Sequence, residues 1–346
     1  MVIRRWSVRL ARLRLVAPAV VLLLAALLAG CNSGTPEVTV VSASTGVPNP
    51  ASASKPAATA SATATTTPAP VVTIDPATVG QGESLAIRVT GGAPGMTATM
   101  RVRGIAYPLI ASPTGLWAVI GIPLSAPLGP TSMTVSFRDA GDKPMPDVTA
   151  PYTVIAVDRP VDALDVTPEV AAILTPDAGE RENALRAAQF AAFDGQPRWN
   201  GVFRQPLTGQ PEITTAFGQG RSVNGGPVTD QHSGTDLAAD MGIPVYAAAP
   251  ARVSWAGLMP IRGNTVVLDH GAGVLTGYSH LTDIVVESGK TVQAGDLIGH
   301  VGSTGFSTGP HLHWELSIYG VNVDPMTWLT RPFGPPAAAN PPSASR

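Results

Sequence analysis

The stretch Ser303-Thr304-Gly305-Phe306-Ser307-Thr308-Gly309-Pro310-His311-Leu312-His313-Trp314-Glu315 runs from a Gly/Ser/Thr loop into two histidines one residue apart. Side chains alternate faces along an extended strand, so His311 and His313 point the same way. Two imidazoles on one face are a natural beginning for a metal site, and the chain holds only 6 histidines from which to complete it. A second element, His232-Ser233-Gly234-Thr235-Asp236, adds a His-x-x-x-Asp pair. Between the two lies Gly277-Tyr278-Ser279-His280-Leu281, with a third histidine at the end of a strand-like run. Imidazole nitrogen and carboxylate oxygen are ligands that zinc takes, and three protein ligands leave one position open for water, a catalytic arrangement. Singly, each pair reads as polar residues on a wet face; the conjunction carries the metal reading.

Further landmarks surround these residues: Ala216-Phe217-Gly218, Gly242-Ile243-Pro244-Val245-Tyr246-Ala247-Ala248, Gly263-Asn264-Thr265-Val266-Val267-Leu268-Asp269-His270-Gly271, and Gly295-Asp296-Leu297-Ile298-Gly299. Their order and neighbours resemble the lysostaphin-type and LytM-type zinc metallopeptidases, which cut the peptide part of bacterial peptidoglycan. The resemblance covers residues 203–329. It implies a core of antiparallel sheet with a narrow groove walled by loops and a metal at its floor. Carried over position by position, it makes His232, Asp236 and His313 the ligands of one zinc per chain, with His280 and His311 as the non-ligand histidines. His311, on the strand face of His313, is assigned as the general base toward the attacking water; His280 orients that water or hydrogen-bonds the oxyanion, and the two roles are open to exchange. Two neutral nitrogens and one carboxylate leave the site net positive, as a metal that activates water requires. No His-Glu-x-x-His helix occurs in the chain, which separates it from the commoner zinc proteases. Asn264, Thr304, Ser307 and Thr308 are candidates for lining the groove, Tyr278 packs or reaches the site, His270 takes a structural turn position, and His300 is a solvated strand residue. The same family includes non-hydrolytic members that bind or activate other wall hydrolases, so a protein regulator is a further partner the resemblance allows.

At its start the chain carries Arg4, Arg5, Arg9, Arg12 and Arg14, then an apolar run over residues 15–29 ending Leu28-Ala29-Gly30-Cys31. This is the layout of a secretory signal, too short and wrongly flanked for an ordinary spanning helix. Cys31 is the only cysteine, which excludes an intramolecular disulfide. The Leu-Ala-Gly-Cys sequence resembles a bacterial lipobox, implying removal of residues 1–30 and lipidation of Cys31, an anchor to an extracytoplasmic membrane face. Without those five arginines, 17 basic side chains face 24 acidic ones, which argues against nucleic acid as a partner. Residues 31–70 are Ala, Ser, Thr and Pro with almost no large apolar residue, so they read as a disordered tether reaching on the order of 120 Å when extended.

From 71 to 157 short alternating runs separated by turns predict an Ig-like β-sandwich: Leu85, Ile87 and Val89 form one such face, and Met133, Val135 and Phe137 another. No titratable cluster falls in it, leaving the role of spacer, wall-binding module or adhesion module. Residues 158–202 read as a helical connector, with Thr175 as N-cap, Pro176 in the first turn and Asp194-Gly195 as the stop. Ala184, Leu185, Ala188, Ala191 and Ala192 form its apolar stripe, which predicts docking on a domain; a bolder alternative has the helix partly cover the groove. Residues 203–330 form the predicted peptidase domain, and 331–346, rich in Pro, Ala and Ser, an unstructured tail. The fold class is therefore mainly β: a sandwich, then an antiparallel metallopeptidase sheet, with a short helical connector between them.

Overall fold

The computed structural model describes residues 67–102, 104–191 and 195–336. The signal sequence, Cys31, the tether up to 66, the helix stop at Asp194 and the tail from 337 lie outside the described residues. Among those described, no helix is long and apolar enough to cross a membrane.

Nine strands make the first half: β1 (Val71–Asp75), β2 (Thr78–Gly80), β3 (Ser84–Thr90), β4 (Thr97–Val102), β5 (Ile105–Pro108), β6 (Ile110–Ser112), β7 (Gly115–Gly121), β8 (Gly129–Arg138) and β9 (Val148–Ile155). They form a sandwich of a four-stranded sheet ordered β1-β3-β7-β6 and a five-stranded sheet ordered β2-β9-β8-β4-β5. Period-two alternation explains the core. Leu85, Ile87 and Val89 of β3 meet Met100 of β4 and Met133, Val135 and Phe137 of β8, while polar neighbours on β4 and β8 face water.

The inner strands β3 and β7 of the four-stranded sheet are buried on both faces. Ala86, Trp117 and Val119 point away from the sandwich core and join the core of the second half. There they meet Trp199, Phe203 and Trp328, with Trp117 edge-on to Trp199 at 5.9 Å and Phe203 edge-on to Trp328 at 4.9 Å. The Trp328 indole nitrogen donates to Ser84 Oγ, and Arg159 bridges the Gln81 and Phe217 carbonyls. The described residues accordingly belong to one compact unit rather than to two beads on a connector. The expected loose tail also begins later than predicted: Arg331 pairs with Asp75, and Phe333 is buried against Trp328.

The connector is more structured than a single helix. It holds strand β10 (Val161–Leu164), a short helix α1 (Pro168–Ala171) and the helix α2 (Pro176–Ala191), which Thr175 caps by accepting from the Ala178 amide. Of the apolar stripe, Ala184 and Ala188 are exposed and Leu185 is half-buried, and the side chains of Ala191 and Ala192 lie outside those described; the most buried residue of the helix face is Glu182, with Arg186 and Phe190 half-buried beside it. The reason is electrostatic, since this face meets charged partners described below.

The second half adds β11 (Ile213–Thr215), β12 (Gly220–Val223), β13 (Asp230–Gln231), β14 (Thr235–Ala238), β15 (Pro244–Tyr246), β16 (Ala251–Met259), β17 (Gly263–Asp269), β18 (Val274–Leu281), β19 (Asp283–Ile284), β20 (Thr291–Val292), β21 (Leu297–His300), β22 (His311–Ile318) and β23 (Val321–Val323). Its main sheet runs β11-β14-β22-β18-β17-β16-β20, with β23 on β22. A small sheet β10-β12-β13 joins the connector to the segment that follows Phe217.

Candidate metal centre

Strand register builds the centre. β14 and β22 pair antiparallel with Asp236 opposite His313 and Ala238 opposite His311, so the carboxylate and the second imidazole start as cross-strand neighbours. His232 arrives from the turn before β14, its amide bonded to the Gln219 carbonyl. Gly234 lets this turn lie on β22: a Cβ there would stand 2.5 Å from the Trp314 carbonyl oxygen and 3.0 Å from the His313 ring. In the result, His232 Nε2 is 3.0 Å and His313 Nδ1 2.7 Å from Asp236 Oδ1, and the two nitrogens are 2.9 Å apart. All three side chains are buried, and among the described residues this is the one cluster fit to hold a metal ion.

His280 reaches the centre by a backbone irregularity. Ser279 lies opposite His313, so regular alternation would send the next side chain to the other face. A register shift between β17 and β18, and φ of +63° at His280, turn its ring back instead, to 4.9 Å from His311 and 5.7 Å from His313 between centroids. A left-handed conformation costs a non-glycine residue about 1–2 kcal/mol, a local strain of the kind found at functional sites.

Hydrogen bonds fix the tautomers. A carbonyl can only accept, so His232 Nδ1 beside Ala216 O at 3.1 Å, His280 Nδ1 beside Thr304 O at 2.8 Å and His311 Nδ1 beside Gly309 O at 2.8 Å each carry a proton. Their Nε2 lone pairs are left for the centre; that of His311 stands 3.7 Å from Asp236 Oδ1. His313 is turned the other way, with Nδ1 inward and Nε2 3.4 Å from Glu315 Oε1. The centre thus gathers acceptors, an arrangement that favours a cation. Burial lowers His232 to about 4, takes His280 well below its ordinary value and also lowers His311. His313 behaves oppositely: burial works to lower it, but the Asp236 and Glu315 carboxylates outweigh that and push it up. Burial works to raise Asp236, and the hydrogen bonds from His232 and His313 prevail, holding it well below the usual carboxylate range. A donor set of two imidazole nitrogens and one carboxylate, buried and within reach of one another, fits zinc.

Two clefts meet over the centre. One is lined by Asp162, Thr215, Arg221, His280, Ser307 and His311; the other reaches His280 and His313 past Glu182, Arg186 and Gln231. Ser307 and Thr308 line the first cleft. Asn264 and Thr304, expected beside them, close turns instead: Thr304 Oγ1 accepts from the Asn264 amide and donates to the Leu281 carbonyl, and Asn264 Nδ2 donates to Thr282 O. Tyr278 packs fully buried, its hydroxyl accepting from the Ala248 amide. His270 is buried away from the centre, between Pro250 O and Thr276 Oγ1. His300, read as merely solvated, pairs with Asp283 at 2.7 Å.

Sequence reasoning missed two residues that touch the ligands. Arg221 donates to the second oxygen of Asp236 at 3.2 Å. Glu315 continues the alternation of His311 and His313 on β22, so the period-two pattern that marked the histidines already pointed to it.

Comparison with known proteins accords with this geometry. The chain is 35% identical over 164 residues to an uncharacterized metalloprotease of Haemophilus influenzae, covering 46% of this chain and 34% of that protein. It is 40% identical over 141 residues to the peptidoglycan DD-endopeptidase ShyA of Vibrio cholerae, covering 40% of this chain and 32% of that one. The chain therefore spans about a third of the length of these curated relatives. A crystal structure of a candidate M23 peptidase from Pseudomonas aeruginosa superposes with a TM-score of 0.51 at 28% identity, covering 68% of this chain and 88% of that one. The segment holding all five site residues, 230–325, matches Peptidase family M23, and these residues form an M23 peptidase domain.

Proposed function

We propose that this protein is a zinc-dependent endopeptidase that hydrolyses peptide bonds in bacterial peptidoglycan. The observation that carries the reading is the convergence of His232 Nε2, Asp236 Oδ1 and His313 Nδ1, with His280 and His311 Nε2 beside them. Zinc held there would polarise the scissile carbonyl and ease deprotonation of the attacking water. His311 Nε2, kept free because Nδ1 is tied to Gly309 O, accepts the proton of that water and later passes it to the leaving amine. His280, fixed through Thr304 O with its Nε2 lone pair toward the centre, orients the water by accepting from it; donation to the developing oxyanion would require a second proton on the ring. Arg221 holds the outer oxygen of Asp236, and Ser307 and Thr308 meet the substrate backbone along the cleft. The relatives that act on peptidoglycan support an extracytoplasmic site of action, and lipidation of Cys31 would tie the enzyme to the membrane there, with the sandwich as an Ig-like spacer.

Mass spectrometry of fragments released from purified peptidoglycan, with and without a chelator, tests this. New peptide ends that disappear with chelation are expected, and the spectrum names the bond. Zinc bound without any release would instead identify a regulator of other wall hydrolases.

A further inference from the structure

The face of β22 that carries His311 and His313 ends in Glu315, a buried carboxylate held by charged and polar partners. Arg262 donates to both its oxygens, Nε to Oε2 at 3.1 Å and Nη2 to Oε1 at 2.6 Å. Arg186 of α2 reaches the same two oxygens through Nη1, at 3.0 and 3.1 Å. Asn322 adds a contact at 3.3 Å, and Gly277, opposite Glu315 on β18, leaves room for the carboxylate, 3.2 Å from where a Cβ would stand. One turn earlier on α2, Glu182 takes the Ile261 and Arg262 amides and the Arg262 guanidinium. Arg262 finally donates to Ser233 beside ligand His232.

The two acids and two guanidinia balance, yet a buried ion network contributes little net stability compared with an apolar contact of equal size. The helix had an apolar stripe available and leaves Ala184 and Ala188 in water. What the charged face achieves is position. Glu315 Oε1 faces His313 Nε2, the nitrogen that must carry the proton if Nδ1 is to bind metal, and a carboxylate behind an imidazole ligand fixes its tautomer and ring plane.

We propose that α2 belongs to the metal centre: Glu182 and Arg186 hold Arg262 and Glu315 in place, and Glu315 is the positioning residue that turns His313 Nδ1 toward the metal. This rests on the reading that His232, Asp236 and His313 hold zinc. It places part of the centre's support outside the residues 230–325 matched by the peptidase family, in the connector.

The test is zinc affinity of the full chain, measured by competition with a chromophoric chelator, alongside the melting midpoint of the metal-free protein and the visible absorption of the cobalt(II) form. Glu315→Gln is expected to weaken zinc binding by about 10- to 100-fold and Arg186→Ala by about 10-fold, with a changed cobalt spectrum in both. Arg186→Lys should fall between Arg186→Ala and wild type, because an ammonium restores the charge but not the two-pronged contact. Wild-type affinity and spectrum in Arg186→Lys, Arg186→Ala and Glu315→Gln, whatever happens to the melting midpoint, would overturn the proposal and leave α2 a packing helix. Should Arg186→Ala not fold, Arg186→Lys and Glu315→Gln decide alone. A wild-type chain that binds no zinc would overturn the metal reading itself, and this inference with it.

Discussion

His311 and His313 sit two residues apart on one strand face but have opposite orientations, and that difference separates base from ligand. His311 is anchored through Nδ1 to Gly309 O, whereas His313 offers Nδ1 to the centre. His311→Ala is therefore expected to retain one zinc per chain by elemental analysis while losing peptidase turnover by at least about 100-fold, the low end for a general base. His270 makes a separate prediction. Its folded-state value is about 4 through complete burial, against about 6.5 in the unfolded chain. The unfolded chain takes up the proton first as pH falls, so the stabilisation is whole above about 6.5 and is lost towards about 4. Denaturant melts at pH 7 and pH 4.5 should differ through this group by about 2 kcal/mol, and His270→Phe should shrink the difference. Alternation and spacing made the grouping of His232, Asp236, His311 and His313 legible in the sequence, whereas the choice of His313 over His311 as ligand came through resemblance. The role of His280 was legible only through resemblance, because a left-handed residue in a register shift leaves no mark in a strand pattern.

At the scale of elements, α2 shows how an apolar stripe misleads. Periodicity reports which residues could pack, and the docked face is chosen by the partner, here Arg262 and Glu315. Glu182→Ala would leave the Arg262 guanidinium short of a buried partner, and about 3 kcal/mol of stability should be lost in urea unfolding. Thr175→Ala, which removes only the cap, should cost about 1 kcal/mol. Strand β10 escaped the sequence reading altogether. Val161–Leu164 is four residues long and pairs in parallel with β12, a contact set by tertiary placement and not by any turn signal. Through β12 it steadies Arg221, and with it the outer oxygen of Asp236.

In the whole molecule, the seam between sandwich and peptidase sheet was the least legible feature. The apolar run Leu116-Trp117-Ala118-Val119-Ile120 announces a strand buried on both faces without saying what covers the second one. Because Trp117 is buried in the neighbouring core, Trp117→Ala should destabilise the chain by about 3–5 kcal/mol, and calorimetry of the wild type should show one transition rather than two. The seam also gives the protein a built-in optical gauge. Three of its 6 tryptophans, Trp117, Trp199 and Trp328, lie at or near the seam with neighbouring rings about 6 Å apart. Indoles this close exchange excitation, and the Trp117–Trp199 pair does so across the seam, so parting the halves removes Trp117 from the exchange while Trp199 and Trp328 continue it, a change readable in Trp117 emission without any added dye.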